Sequence, residues 1–336
     1  MAEQHDLYDV TIIGGGPVGL FTAFYSGMRE MKTKIIEYLP FLGGKVPYFY
    51  PEKIIRDVGG IPQKSGELFT EDLIKQAKTF NPTIVLKEQV VGITRLKNGH
   101  FQLTSRDGQV HNTKTVILAT GYGILKSTKL ELPEAPTYEN DTLHYTIQRM
   151  ASYQGKHVFI SGGGNSAIDW ANELEPIAKQ VTLIHRKPTF RGMESNISKM
   201  KNSSVKIKQP YHIKSLHGER SKLSHITLQH ADTKEIETLH IDNLIISHGF
   251  QIDLGSINDW GMEMENGSIK VDSTMSTSIP GIFAVGDIAN YPNKLHLIAG
   301  GFNEGPIAVN AAKQFIDPEH TLSHLFSTNY EPFRKE

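Results

Sequence analysis

Two glycine-rich segments in this chain have the spacing to hold a phosphate group, and each is followed at the same distance by a residue able to read a ribose. The first is Gly14-Gly15-Gly16-Pro17-Val18-Gly19, and the second is Gly162-Gly163-Gly164-Asn165-Ser166-Ala167. Between a strand and a helix, such a turn brings backbone N–H groups and a helix N-terminus against a pyrophosphate, and its small residues permit close approach. Glu37 stands 18 positions after Gly19, and His185 stands 18 positions after Ala167. At that place a carboxylate accepts hydrogen bonds from ribose hydroxyls, as in FAD or NAD, and repels a 2′-phosphate, so Glu37 fits FAD. His185-Arg186-Lys187, with Arg191 close behind, offers cationic donors suited to the extra phosphate of NADPH. The other reading of Arg186 and Lys187 is a solvated strand end, and a single glycine loop by itself is a weak signal.

The elements that must position these residues follow from periodicity. Tyr8 to Ile13 is a β-branched run entering the first loop, an apolar-periodic stretch reaches about Met28, and Thr33 to Glu37 closes a βαβ unit. Leu68, Leu73, Ala77 and Phe80 are expected on one helical stripe. Val90 to Leu96, Phe101 to Ser105 and Gln109 to Leu118 are separated by Asn98-Gly99 and Asp107-Gly108, tight-turn signals that predict an antiparallel meander. The pattern then restarts with a strand His157 to Ser161, a helix Ala167 to about Leu174 and a strand Val181 to Ile184, and strand-like Ile241 to Ser247 ends the second unit. A helix is expected from Pro306 to about Ile316, in a tail that returns to the first domain.

Composition narrows the chemistry. At 336 residues the chain exceeds the size of a single core and predicts two domains. It contains no cysteine, which removes disulfides, thiolate metal sites and cysteine nucleophiles. The 15 histidines form no HExxH or similar metal spacing, so no metal is expected. A net charge of −1 gives no overall reason to expect nucleic acid. No apolar run approaches the roughly 18 residues that span a bilayer, and acids stand where a signal peptide needs a basic start, so a cytoplasmic protein is expected. From Arg186 to Lys222 there are ten Lys or Arg against two acids, Glu194 and Glu219, with Lys206 and Lys208 on one strand face. This stretch is either a dock for an acidic protein or a solvated face beside a phosphate site.

The two loops, with Ala119-Thr120-Gly121 closing the first half and Gly286-Asp287 near the end, resemble the pyridine-nucleotide flavoprotein reductases, and among them the short thioredoxin-reductase-like group. Gly43-Gly44-Lys45, Tyr50-Pro51-Glu52-Lys53 and Asp57-Val58-Gly59-Gly60 resemble the bacterial ferredoxin–NADP reductases that share this fold. The resemblance implies an α/β protein of two Rossmann-like, three-layer dinucleotide-binding domains. A discontinuous FAD domain (1–121 and 249–336, with the meander and a C-terminal extension) would flank an NADPH domain (122–248). It implies FAD contacts from Gly14, Gly16, Pro17, Gly19, Glu37, Gly44, Lys45, Val90, Gly121, Leu125, Gly286, Asp287 and Thr328, and NADPH contacts from Gly162, Gly164, Asn165, Ser166, His185, Arg186 and Arg191.

By the same likeness Tyr50 would stack on the isoalloxazine, the alternative being core packing within Tyr48-Phe49-Tyr50. Phe326 stands before Ser327-Thr328, where the family often has histidine; its ring can stack but has no proton to give. The helix near Glu304-Gly305-Pro306 is expected to aim its positive end at the flavin pyrimidine. The resemblance implies a homodimer that carries electrons from NADPH through FAD to ferredoxin or flavodoxin, with no catalytic side chain beyond the flavin. The alternatives are reduction of a small acceptor such as a quinone, free flavin or ferric chelate, and a redox-sensing protein without turnover. Thiol-based disulfide reduction is excluded by the missing cysteines.

Overall fold

The computed structural model describes residues 6–139, 141–319, 326–330 and 333, with the side chains of residues 125 and 252 outside the described set. The chain divides into two compact units, one made of Met1–Ile124 with Ile252–Glu336 and the other of Leu125–Gln251.

The first unit begins with β1 (Leu7–Ile13), whose last four residues are all buried, as an interior parallel strand requires. Helix α1 (Pro17–Met28) starts with Pro17 at its first position, where the missing N–H has no intrahelical partner to lose. Strand β2 (Thr33–Ile36) lies parallel to β1, pairing Val10 with Thr33 through Ile13 with Ile36. A short helix α2 (Lys45–Phe49) leads to α3 (Gly66–Ala77), capped by Ser65, whose hydroxyl accepts the Leu68 N–H. Leu68 is 54% exposed, contrary to the expected stripe. Phe69, Leu73 and Ala77, four residues apart, are the buried line, whereas Leu68 lies five before Leu73 and points elsewhere. Strand β3 (Thr83–Val85) is followed by the meander β4 (Val90–Arg95), β5 (Phe101–Ser105) and β6 (Val110–Leu118). Both predicted turns carry a left-handed glycine, Gly99 at φ 84° and Gly108 at φ 81°. The sheet order is β3-β2-β1-β6-β5-β4. Strand β6 therefore belongs to both the parallel core and the meander.

The second unit has a five-stranded parallel sheet, β7 (Leu143–His144), β8 (His157–Ser161), β9 (Gln180–Ile184), β10 (Lys206–Lys208) and β14 (Asn243–Ile246), in the order β7-β14-β8-β9-β10. Helix α4 (Asn165–Leu174) follows β8, and α5 (Glu194–Lys201) precedes β10. A second antiparallel meander, β11 (Tyr211–Glu219), β12 (Lys222–His230) and β13 (Ile236–His240), covers part of this unit with Ile213, Leu216, Leu223, Ile226 and Leu228 in a common core. Its turns, at 219–222 and 231–235, contain no glycine, so the sequence carries none of the signals that mark the first meander.

The chain then returns to the first unit. Strand β15 (Ile282–Ala284) pairs in parallel with Val116–Leu118 of β6. Helix α6 spans Ile298–Ile316, eight residues earlier than its expected start, with Pro306 inside it. Gly300, Gly301 and Gly305 blur the helical pattern, but they let α6 lie close on α1: a Cβ on Gly301 would stand 2.2 Å from Val18 Cγ2, and one on Gly305 would stand 2.4 Å from Thr22 Oγ1. Packing overrides local propensity here. Beyond α6, the rings of Tyr330 and Phe333 pack 5.5 and 5.7 Å from Phe80.

Candidate functional site

In the first unit the glycine loop, the end of β2 and the Gly286 turn converge. Gly14 has φ 108°, and a Cβ on it would meet the Ala119 carbonyl oxygen at 2.4 Å, so only glycine lets the loop pass this close to the end of β6. Gly16 caps α1 without a side chain of its own on the helix amides, and no acidic residue stands in the first turn. The helix N-terminus is thus open to an external anion. Gly44 faces this turn, and a Cβ on it would stand 2.9 Å from Gly16 Cα.

Glu37 follows β2 and is 3% exposed. One carboxylate oxygen accepts the Gly15 N–H at 2.7 Å and the other accepts the Leu39 N–H at 2.9 Å. Burial pushes its pKa up from the ordinary carboxylate value, while these backbone donors favour the ionised form. Asp287 follows Gly286; its carboxylate receives Lys45 Nζ at 2.7 Å and has His296 Nδ1 at 3.5 Å. The Lys45 ammonium also lies 4.5 Å from the Tyr122 ring centroid. Burial, then the charge of Asp287, raises the Tyr122 hydroxyl. Thr120 Oγ1 is buried with no hydrogen-bond partner among the described residues, and it stands between Ala119, against which the glycine loop passes, and Gly121.

The second unit repeats this frame with different side chains. Gly164 caps α4 with no side-chain bond to the helix amides and no acid in the first turn. A Cβ on Gly163 would fall 2.2 Å from His185 Cε1, so the imidazole lies directly against the loop. The ring stacks on Phe190 at 5.5 Å, and its Nε2 is 3.1 Å from the Thr189 carbonyl oxygen. Burial lowers the His185 pKa; the Thr189 bond opposes this, and the charges of Arg186, Lys187 and Arg191 add to it. Arg191 donates its backbone N–H to the Gly163 carbonyl at 2.7 Å, which fixes its main chain beside the loop and leaves its side chain exposed. Arg186 and Lys187 are exposed. Asn165 Oδ1 accepts the Met193 N–H at 2.8 Å and ties the start of α5 to the loop.

Other expected positions fall as follows. Val90 contributes its side chain to the hydrophobic core and stands opposite Ser105 in the meander. Tyr50 ends α2, with its ring centroid 6.0 Å from Phe49 and the Lys53 ammonium 5.7 Å above it. Gly121 adopts φ 58°. Leu125 lies in the segment Ile124–Ser127, and its side chain is outside the described residues. Phe326 is 60% exposed and Thr328 is exposed in a short turn, Ser327–Asn329. The N-terminus expected near Pro306 stands instead at Ile298.

Sequence reasoning missed His248, just past β14, whose Nε2 is 2.8 Å from Ser161 Oγ at the end of β8. Burial lowers its pKa, and the charges of Arg186 and His185 lower it further. Its only sequence signal was its place after a strand end, where α/β proteins bind ligands. In the basic stretch Lys206 is exposed, whereas Lys208 pairs with Glu237 at 2.7 Å, so the two lysines of that strand face are not equivalent. Among the described residues no His, Asp or Glu group could hold a metal ion, and no helix is long and apolar enough to cross a membrane.

Comparison with known proteins places these observations in a family context. Residues 8–314 match the family described as pyridine nucleotide-disulphide oxidoreductase. The chain is 52% identical over 331 residues to ferredoxin–NADP reductase 1 of Bacillus velezensis, covering 98% of each chain. It is 48% identical over 329 residues to ferredoxin–NADP reductase 1 of Listeria welshimeri, covering 98% of this chain and 99% of that one. In fold it is similar to the crystal structure of Lactococcus lactis thioredoxin reductase in its FR conformation, with a TM-score of 0.76 and 26% identity over 92% of this chain and 99% of that one.

Proposed function

The chain belongs to the pyridine nucleotide-disulphide oxidoreductase family, and from that premise we propose that it is an FAD-dependent reductase that oxidises NADPH and passes electrons to ferredoxin or flavodoxin, as a cytoplasmic homodimer. The observation that carries the reading is the pair of like frames with unlike ribose ends. Glu37 presents a carboxylate in one, while His185, Arg186 and the docked Arg191 present imidazole and guanidinium groups in the other. The names of the Bacillus and Listeria relatives support ferredoxin as the acceptor. Flavodoxin is the acidic carrier expected to compete for the same electrons.

The residues present suit the two nucleotides. In the first unit, Gly14, Gly16, Pro17 and Gly19 shape an uncapped helix start for a pyrophosphate, and Glu37 keeps acceptor capacity for ribose hydroxyls beyond its two backbone donors. Thr120 supplies a hydroxyl still lacking a partner. Lys45 holds Asp287 in one orientation, and Gly44, Val90, Gly121 and Thr328 are the further first-unit positions that the resemblance assigns to FAD. Tyr50 and Phe326 supply rings able to lie on a flat π-system. In the second unit, Gly162, Gly164, Asn165 and Ser166 shape the other helix start, with Arg186 and Arg191 as donors to a 2′-phosphate.

When bound, FAD supplies the conversion chemistry, accepting a hydride from NADPH and releasing single electrons. This chain's own side chains then bind, orient and exclude solvent, and no side-chain nucleophile is required. Without cysteine, no thiol of this chain can exchange with a disulfide.

Purified protein is expected to be yellow, with one noncovalent FAD per chain, and to oxidise NADPH fastest when a ferredoxin or flavodoxin is the acceptor. Correctly folded protein with no affinity for FAD would overturn the cofactor assignment. Faster turnover with quinone, free flavin or ferric chelate than with either protein would move the acceptor to a small molecule.

A further inference from the structure

One buried charged group in the first unit has no part in the roles assigned so far. Glu304, on α6, is 2% exposed, and its partner Lys294 has 4% of its side chain exposed. One carboxylate oxygen accepts the Gly286 N–H at 2.6 Å; the other accepts the Tyr291 hydroxyl at 2.8 Å and the Lys294 ammonium. Lys294 also donates to the Gly286 carbonyl oxygen at 2.9 Å. The two charges therefore grip the same residue by its N–H and by its C=O.

Gly286 has φ 73°, the left-handed region that favours glycine, so its peptide orientation needs external support. The next residue is Asp287, whose carboxylate is held by Lys45. Burial, then the bond to Glu304, pushes the Tyr291 hydroxyl up to about 12, so it remains a donor at neutral pH. On the other side Glu304 is anchored by its helix: Gly301 and Gly305, which bracket it, bring α6 against Val18 and Thr22 of α1. The ion pair thus couples the helix that starts at the glycine loop to the turn that aims Asp287.

A buried ion pair is a poor source of net stability, because desolvation offsets most of its attraction, and apolar replacements of similar size are often tolerated. Its geometry, in contrast, is specific, since four contacts converge on one carboxylate and on the backbone N–H and C=O of one residue. We infer that Lys294 and Glu304 are positioning residues for the flavin nucleotide: they set the direction of the Asp287 carboxylate, and they act on FAD affinity rather than on folding. This inference rests on the FAD reading of the first unit.

The test compares wild type with Glu304→Gln, the apolar double variant Glu304→Leu/Lys294→Met, and Tyr291→Phe. The phenylalanine variant removes one donor from Glu304 but leaves both grips on Gly286. FAD affinity is measured by titrating apoprotein, apoprotein melting is measured in parallel, and hydrogen exchange is followed at residues 284–288 without any ligand. The double variant is expected to melt near wild type, to lose amide protection at Gly286, and to bind FAD about tenfold more weakly or worse, equivalent to about 1.4 kcal/mol. Glu304→Gln is expected to shift in the same direction, which covers the case in which the double variant does not fold. Tyr291→Phe is expected to keep wild-type FAD affinity. Wild-type affinity in the pair variants, or an equal loss in Tyr291→Phe, would overturn the inference. A wild-type protein with no FAD affinity would instead sink the cofactor reading, and the exchange measurement would still show whether the pair holds Gly286.

Discussion

Gly14 donates to the Ile36 carbonyl at 2.9 Å in the first unit, and Gly162 donates to Ile184 at 3.0 Å in the second. Gly43 docks on the Gly15 carbonyl at 2.8 Å, and Arg191 docks on Gly163 at 2.7 Å. Each pair of equivalent positions (14 and 162, 15 and 163, 43 and 191) differs by 148 residues, as do Glu37 and His185. The main chain has therefore kept one frame, while the side chains at the ribose end and at the residue docked on the loop, Gly43 or Arg191, differ. A pyrophosphate is common to both dinucleotides and is addressed by backbone and helix start, which cannot tell them apart. On the proposed reading, selectivity has to come from the diverged places: the Glu37 carboxylate at one ribose end, and at the other Arg191, whose main chain is held by its own hydrogen bond to the loop.

The sharpest way to break this comparison is to remove what the second frame has gained. Arg186→Ala with Arg191→Ala is expected to raise KM for NADPH by about a hundredfold and to change KM for NADH little. Each lost charge-assisted contact contributes about 1.5–3 kcal/mol, taken here at the lower end because both side chains are exposed. Steady-state kinetics with both nucleotides decide it, and equal effects would show that these arginines do not read the 2′-phosphate.

A smaller effect is expected at the acceptor side. Lys206→Glu should slow reduction of ferredoxin or flavodoxin severalfold at low salt and fade as ionic strength rises, because exposed charges are screened over about 10 Å at 0.1 M. Lys208 is the wrong residue for this test, since Glu237 already offsets it. Ferricyanide reduction should stay unchanged, and joint loss of both activities would assign the stretch to NADPH or to folding.

The smallest effect concerns pH. His144, His185 and His248 in the second unit all have pKa values lowered by burial. The unfolded chain then takes up protons that the folded unit refuses, so stability is full above the unfolded value of about 6.5 and is lost as pH falls below it. Urea unfolding at several pH values should show this slope, flattened in His248→Asn. A stability that is flat or rises toward acid would contradict the sign.

How much of this was legible depended on whether a residue's partner was close in sequence. The two loops, Glu37 and His185, and the turns at Gly99 and Gly108 follow local rules and could be read directly. The second meander could not, because its turns lack glycine and its strands announce themselves only through packing on Ile213, Leu216 and Leu228. The start of α6 was hidden for the opposite reason: Gly301 and Gly305 look like helix breakers until Val18 and Thr22 come against them. Arg191 was named for its charge, but the backbone bond that fixes it is a tertiary fact, as are the meeting of His248 with Ser161 and the grip on Gly286.

Strand β6 has a consequence for the order of events on the ribosome. Its first half, from Val110, pairs with β5, whereas Val116–Leu118 must wait for Ile282–Ala284, which are synthesised only after the whole second unit has emerged. Val116, Ile117 and Leu118 are fully buried in the finished protein. During translation that half-strand is an apolar edge without its neighbour, of the kind that seeks other strands. The inserted unit has its own sheet and core. The first unit begins earliest and is completed last.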